Sequence, residues 1–107
     1  MSEKDKTVVK ATDNNVYKLK KPLEYEGRIY EEFRFNFEKL NGNNMIQIEN
    51  ELRDRDIFVI TPETDTAFQA ALAARAAGVS DSVITALPIA DFLAVKRKVR
   101  RFLNGME

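Results

Sequence analysis

Apolar and polar residues alternate on both sides of a Glu26-Gly27 pair, and this alternation constrains the fold more than any other feature of the sequence. Side chains on one face of a β-strand recur at every second residue, so the pattern predicts a hairpin with strands at about 17–23 and 29–37. Its apolar face would carry Tyr17, Leu19, Leu23, Ile29, Phe33, Phe35 and Phe37. A hairpin alone is only marginally stable. The remainder of the chain must therefore cover this face.

The register of the hairpin follows from which side chains would face each other. A two-residue loop at 26–27 places Ile29 opposite Glu24, whereas a three-residue loop at 25–27 pairs Ile29 with Leu23. A shift of one residue moves every side chain to the other face of the sheet. We therefore expect the three-residue loop, closed by a left-handed glycine, because this register keeps apolar residues together.

Capping signals divide the rest of the chain into helices. Asn41 is a typical N-cap, the sequence Thr61-Pro62-Glu63 is a typical helix start, and Gly78 is a typical terminator. We predict helices at about 42–56, 62–77, 81–87 and 88–103. The predicted fold class is α+β, mainly helical: an N-terminal β-hairpin packed on three to four α-helices. The apolar run at 57–60 fits a connector, a short strand or a continued helix, and its pattern leaves these alternatives open.

The length of 107 residues fits one compact domain. Residues 1–15 are polar and are predicted to form a flexible arm, and residues 16–105 form the predicted domain. No apolar stretch approaches the roughly 20 residues of a membrane-spanning helix, so we expect no association with a membrane. The predicted core consists of Leu19, Leu23, Ile29, Phe33, Phe35, Leu52, Phe68, Leu72, Ile84, Leu87, Phe92 and Phe102.

Two absences restrict the chemistry available to this protein. The sequence contains no cysteine and no histidine, which excludes disulfides, thiolate metal ligands, cysteine nucleophiles and histidine general bases. The charged residues at 49–56 point in different directions on a helix and are interpreted as solvent-exposed surface. We therefore predict that the protein is not an enzyme and has no catalytic, cofactor-binding or metal-binding residues.

Charge is balanced over the whole chain but unevenly distributed along it. Residues 22–66 carry eleven acidic against five basic side chains, whereas residues 67–107 carry six basic against three acidic ones. An acidic middle and a basic end favour association between copies of the chain, so we expect self-association. A net charge of zero argues against dedicated binding of nucleic acid, whose affinity depends on neutralised phosphates.

The basic run at 96–101 lies on the last predicted helix. At 100° per residue, the apolar half of this helix also contains Lys96 and Arg100. Three interpretations of the run are open: it complements the helix dipole, contacts an acidic protein, or contacts nucleic acid. The small residues of the preceding alanine-rich helix likewise suit either an assembly surface or a tight internal contact.

The order of these elements resembles the tail assembly chaperones of long-tailed bacteriophages, in particular the Mu-like group found in many prophages. Three stretches carry the resemblance: LKKPLEYEGRIY at 19–30, FNFEKLNGNNMI at 35–46, and AARAAGV at 73–79 running on to LPIADFL at 87–93 and to Phe102-Leu103. Together they span 16–105. The sequence departs from the group at Asn44, where an acidic residue is expected, and at 57–60.

The resemblance implies a protein that acts in the cytoplasm of the bacterial host and is absent from the mature virion. It implies binding to the tape measure protein, which the chaperone keeps soluble until the tail tube polymerises, with the tail tube protein as a further candidate partner. We expect helical, apolar recognition by the alanine-rich and last helices, through Leu72, Arg75, Phe92, Lys96, Arg97, Arg100, Arg101 and Phe102. The alternative is a small nucleic-acid-binding regulator of a phage or mobile element that uses the basic C-terminal helix.

Overall fold

A computed structural model describes residues 15–105 of the chain. The elements are β1 (Val16–Tyr25), β2 (Arg28–Arg34), a 3-10 turn (Phe37–Lys39), α1 (Gly42–Asp54), α2 (Thr66–Ala77), α3 (Asp81–Thr85) and α4 (Ile89–Leu103). An antiparallel two-stranded hairpin followed by four α-helices confirms the predicted α+β class. Residues 1–14 of the predicted arm lie outside the described residues. Asn15 already belongs to the hairpin, since its carbonyl accepts a hydrogen bond from the Phe35 amide at 2.9 Å.

Helix α2 is the centre of the fold, and it is buried on almost every side. Its small side chains let the neighbouring helices approach its backbone closely. The alanine-rich helix is therefore an internal packing element, which decides between the two interpretations left open by its sequence. Its buried residues are Phe68, Gln69, Ala70, Ala71, Leu72, Ala73, Ala74 and Ala76.

Most of the predicted core is confirmed. The buried members are Phe33, Phe35, Leu52, Phe68, Leu72, Ile84 and Leu87. Leu19, Leu23 and Phe92 are half-buried and pack against this core. The prediction is wrong for Ile29 and Phe102, which are both exposed.

The predicted register is also wrong. Tyr25 pairs with Arg28 and Glu24 with Ile29, so the loop has two residues rather than three. Both loop residues have positive φ, 49° at Glu26 and 81° at Gly27. Such a turn matches the natural twist of the two strands. Ile29 consequently lies on the outer face of the hairpin beside Glu24.

A wide bulge in β1 restores the apolar face beyond the turn. Leu23 pairs with Tyr30 and Lys18 pairs with Glu32, so residues 19–22 of β1 lie opposite Glu31 alone. Past the bulge, Tyr17 faces the buried Phe33. Without the bulge, a two-residue loop would set apolar residues opposite charged ones along both strands.

The side chain of Asp91, in the first turn of α4, satisfies the backbone of this bulge. Its Oδ1 accepts hydrogen bonds from the Lys20 amide at 2.9 Å and from the Tyr17 hydroxyl at 2.7 Å. Asp91 is only 1% exposed. These bonds hold β1 against α4 and set how α4 is rotated about its axis.

The same contacts shift the pKa values of both side chains. Burial opposes ionisation of Asp91, but the bonds from Lys20, Tyr17 and Lys21, with the charge of Lys20, hold its pKa below the ordinary 3.8. Burial, the hydrogen bond to Asp91 and the charge of Asp91 raise the pKa of Tyr17 from 10.0 to about 12. Asp91 is therefore ionised and Tyr17 protonated across the physiological range.

Four helix boundaries differ from the prediction: α1 ends at Asp54, α2 begins at Thr66, α3 ends at Thr85 and α4 begins at Ile89. The first two differences have local reasons. Helix α1 ends at Asp54 rather than at 56, because Asp56 adopts φ 64° and the Asp56 and Ile57 amides donate back to Arg53 and Leu52 at 2.8 Å each. This pattern is a Schellman motif with aspartate in the position that usually carries glycine.

Helix α2 begins at Thr66 rather than at 62. Asp65 is the N-cap, accepting a hydrogen bond from the Phe68 amide at 2.8 Å. The residues before it form a turn, whose Glu63 carbonyl accepts a hydrogen bond from the buried Gln69 amide group. The N-cap prediction at Asn41 is confirmed, and its partner in a capping box is Asn44.

The observed turn predicts that Glu26→Asn stabilises the protein. Asparagine tolerates positive φ better than glutamate, so we expect the free energy of unfolding to rise by about 0.5–1 kcal/mol. Chemical denaturation compares this variant with Glu24→Asn, an exposed strand position where no gain is expected. A stabilisation by Glu24→Asn and not by Glu26→Asn would contradict the two-residue turn.

The carboxylate of Asp91 predicts a pH-dependent contribution to stability. Asp91→Asn should lower the free energy of unfolding by about 2 kcal/mol at neutral pH, because hydrogen bonds to a buried charge are lost. Since the folded-state pKa is the lower one, this difference is fully present above pH 3.8 and disappears as the pH falls through the folded-state value. Denaturation curves between about pH 2.5 and pH 8 measure it, with the exposed Asp54→Asn as control. A difference that grows on acidification would contradict this account.

Candidate functional site

One of the predicted partner-binding residues is buried and another is half-buried. Leu72 is fully buried in α2, which is a correction to its proposed contact with a partner. Phe92 is half-buried and packs against the core. Leu72 cannot contact a partner unless the domain rearranges, whereas Phe92 offers part of its ring to the solvent.

Arg75 is exposed to solvent in part but is already engaged within the domain. Its Nη2 lies 2.6 Å from Glu51 Oε2, and its Nη1 donates to Gln47 Oε1 at 3.1 Å. These contacts join α2 to α1. Arg75 therefore stabilises the arrangement of the two helices, and a partner would have to compete for it.

Phe102 ends a row of aromatic rings that runs from the hairpin to α4. Its ring stacks on Phe37 with a centroid distance of 4.8 Å, and Phe37 stacks on Phe35 at 5.6 Å. Phe33 and Tyr30 continue the row. Phe102 remains 38% exposed, but its main contact is internal. It holds the C-terminal end of α4 against the hairpin.

The outward side of α4 carries a row of exposed and half-buried residues that we call the α4 stripe: Ile89, Leu93, Lys96 and Arg100. Their spacing of four, three and four residues places them in one row along the helix. Ile89 is 77% and Leu93 43% exposed, whereas Lys96 is half-buried. The predicted apolar half of α4 is thus wider than the part of the helix that packs against the core.

The buried row of α4 consists of Asp91, Val95 and Val99. Because Asp91 is bonded to β1, this row faces the core and the α4 stripe lies to one side of it. Asp91 was missed as an important residue. The signal in the sequence is an acidic residue four positions before Val95 and eight before Val99, within the row that is otherwise apolar.

Except for Lys96, the cations of the basic run are available for contacts with other molecules. Within residues 15–105, none of the five cations at 96–101 forms an ion pair. Lys96 Nζ donates to Thr66 Oγ1 at 3.0 Å, which links the middle of α4 to the start of α2. Arg97, Arg100 and Arg101 are exposed. This end of α4 therefore has a strongly positive surface.

A second apolar surface lies in the connector between α1 and α2. Phe58 is 68% and Ile60 91% exposed, while Ile57 and Val59 are half-buried. Phe58 and Ile60 line a shallow depression of about 370 Å³ together with Thr61, Thr64 and Asp65. We call this the connector patch. Of the three alternatives for 57–60, the structure shows a connector without regular secondary structure.

Residues 15–105 hold no cluster of three acidic side chains that could bind a metal ion. In the same part of the chain, no helix is long and apolar enough to cross a membrane.

Comparisons of the chain with family models, with curated proteins and with solved structures found no match. The candidate functional surfaces are therefore the α4 stripe, its neighbouring cations and the connector patch.

The ring stack predicts that Phe102 contributes to stability. Phe102→Ala should lower the free energy of unfolding by about 2 kcal/mol, since it removes a stacked aromatic pair and partial burial. The exposed Arg101→Ala is the control, with an expected change below about 0.5 kcal/mol. Equal stability of Phe102→Ala and wild type in chemical denaturation would show that the stack is not maintained in solution.

Proposed function

We propose that this protein is a phage tail assembly chaperone that binds the tape measure protein and keeps it soluble until the tail tube polymerises. The observation that carries the proposal is the exposure of Ile89 and Leu93 in one row on α4. Large apolar side chains in a row on a helix suit contact with an amphipathic helix of a partner. The resemblance of the element order to these chaperones supplies the identity of that partner.

The arrangement of the α4 stripe suits a helical client. Ile89 and Leu93 are four residues apart, which is also the spacing of apolar residues along one face of a client helix. Burial of two such side chains contributes about 1.5–3 kcal/mol each. The nearby Arg97 and Arg100 would lie at the rim of the contact, where charges affect specificity and association rate more than affinity.

Two further parts of the proposal rest on the resemblance alone. The protein would act in the cytoplasm of the bacterial host and be absent from the mature virion. The tail tube protein is a further candidate partner. Neither part requires a catalytic group, so the proposed protein is a binding protein rather than an enzyme.

One observation favours a second candidate function. Arg97, Arg100 and Arg101 are exposed and form no ion pair within the described residues, as expected of side chains that bind phosphates. A nucleic-acid-binding regulator would use them. Its binding would weaken steeply with salt, because affinity for nucleic acid depends on the release of counterions.

Co-purification with fragments of the tape measure protein tests the proposal. Ile89→Asp should abolish capture of the fragments, because the charge must lose its hydration when the client covers it. Ala90→Asp is a matched control, with the same charge one residue away on the exposed surface. Capture by the wild type should persist at about 0.5 M salt, where exposed charges are largely screened.

A triple variant with Arg97, Lys98 and Arg101 changed to Gln separates the two functions. It should retain the client at high salt, and its circular dichroism should match that of the wild type. Loss of the client by the Gln variant together with normal capture by Ile89→Asp would show that charge is the recognition element. If the wild type is retained on DNA in a salt-sensitive way and the Gln variant is not, the result would support the nucleic-acid-binding regulator instead.

A further inference from the structure

The molecule carries two apolar surfaces with opposite charge. The connector patch has Phe58 and Ile60 at its centre, within a segment, 56–65, that contains three acidic residues and no basic one. Arg53 borders Phe58 in a separate depression. The α4 stripe has Ile89 and Leu93 beside the five cations of 96–101. Each surface is therefore apolar at its centre, and the charges beside it are opposite in sign to those beside the other surface.

The two surfaces border each other. Lys96 belongs to the α4 stripe, and its Nζ lies 3.0 Å from Thr66 Oγ1. Thr66 directly follows Asp65, which lines the same depression as Phe58 and Ile60. Leu93 is one helical turn before Lys96. The connector patch and the α4 stripe thus approach each other at the Lys96–Thr66 hydrogen bond.

We propose that two copies of the chain form a closed dimer with two-fold symmetry, in which the connector patch of each copy packs on the α4 stripe of the other. A two-fold axis near the Lys96–Thr66 border exchanges two neighbouring surfaces, so both complementary contacts form at once. Surfaces on opposite sides of a molecule would instead build an open chain. The positions of the two surfaces therefore select the dimer over the head-to-tail polymer.

Charge complementarity identifies the occupant as a second copy. Asp56, Glu63 and Asp65 of one copy would face Arg97 and Arg100 of the other, and the arrangement repeats across the axis. Opposite potentials around apolar centres favour this pairing and disfavour like surfaces meeting. We expect a reversible dimer, because each contact brings together only two large apolar side chains from each copy.

This inference does not depend on the proposed function, since it concerns the purified chain alone. Sedimentation equilibrium between about 1 and 300 µM, which spans micromolar dissociation constants, should show a monomer–dimer equilibrium for the wild type. Replacing Phe58 and Ile60 with Ser should weaken the dimer at least tenfold. Ile46→Ser is the matched control, an exposed isoleucine on α1 that lies outside both surfaces. A wild type that stays monomeric, or a Phe58/Ile60 variant that dimerises normally, would overturn the proposal.

Charge reversal tests the two-fold symmetry. One variant carries Arg97→Glu and Arg100→Glu, and a second carries Thr61→Lys and Glu63→Lys. Each variant should be monomeric when it is alone, because in its homodimer the α4 stripe and the connector patch would carry charges of the same sign at both contacts. An equimolar mixture should form heterodimers, in which one contact is that of the wild type and the other has both charges exchanged. Mixtures that stay monomeric, or that form species larger than dimers, would overturn the two-fold arrangement; circular dichroism checks that each variant is folded.

Discussion

The buried carboxylate of Asp91 is the interaction on which the rest of this structure depends. A charge in the interior is costly unless hydrogen bonds compensate for the lost water. Here the Lys20 amide of the β1 bulge and the Tyr17 hydroxyl provide that compensation. The bulge in turn would leave its Lys20 amide unsatisfied without the carboxylate. Strand and helix therefore stabilise each other, and the rotation of α4 that results decides which of its residues face the solvent.

This mutual dependence explains which parts of the fold could be predicted from the sequence. The order of the elements, the cap at Asn41 and most of the core depend on neighbouring residues, and the prediction was correct there. The register of the hairpin depends on a bulge that is bonded to a residue about 70 positions away. Alternation within two strands carries no information about such a partner, so the rule for an unbroken ladder selected the wrong loop. Ile29 was placed inside for the same reason.

The predicted binding residues divide along a similar line. Arg97, Arg100 and Arg101 were recognised from a local run of charges and are exposed. Leu72 could not be located from its helix alone, because a helix of small residues all round has no distinct polar side. The sequence likewise gave no sign that the ring of Phe102 meets Phe37, since the contact joins distant elements. The exposure of a side chain depends on the assembled fold. It can be predicted from the sequence only for residues on a helix or strand face that is clearly polar.

The two proposals together place one surface under two competing equilibria. The α4 stripe would be covered by the connector patch of a second copy or by a client helix, but not by both at once. A client that binds only the uncovered stripe must then compete with dimerisation. Its apparent affinity falls as the concentration of the protein rises above the dissociation constant of the dimer. The connector patch would be released whenever a client binds, leaving Phe58 and Ile60 exposed. A weak dimer suits this exchange, because it limits the exposure of apolar side chains at rest and still yields to a client with a longer apolar face.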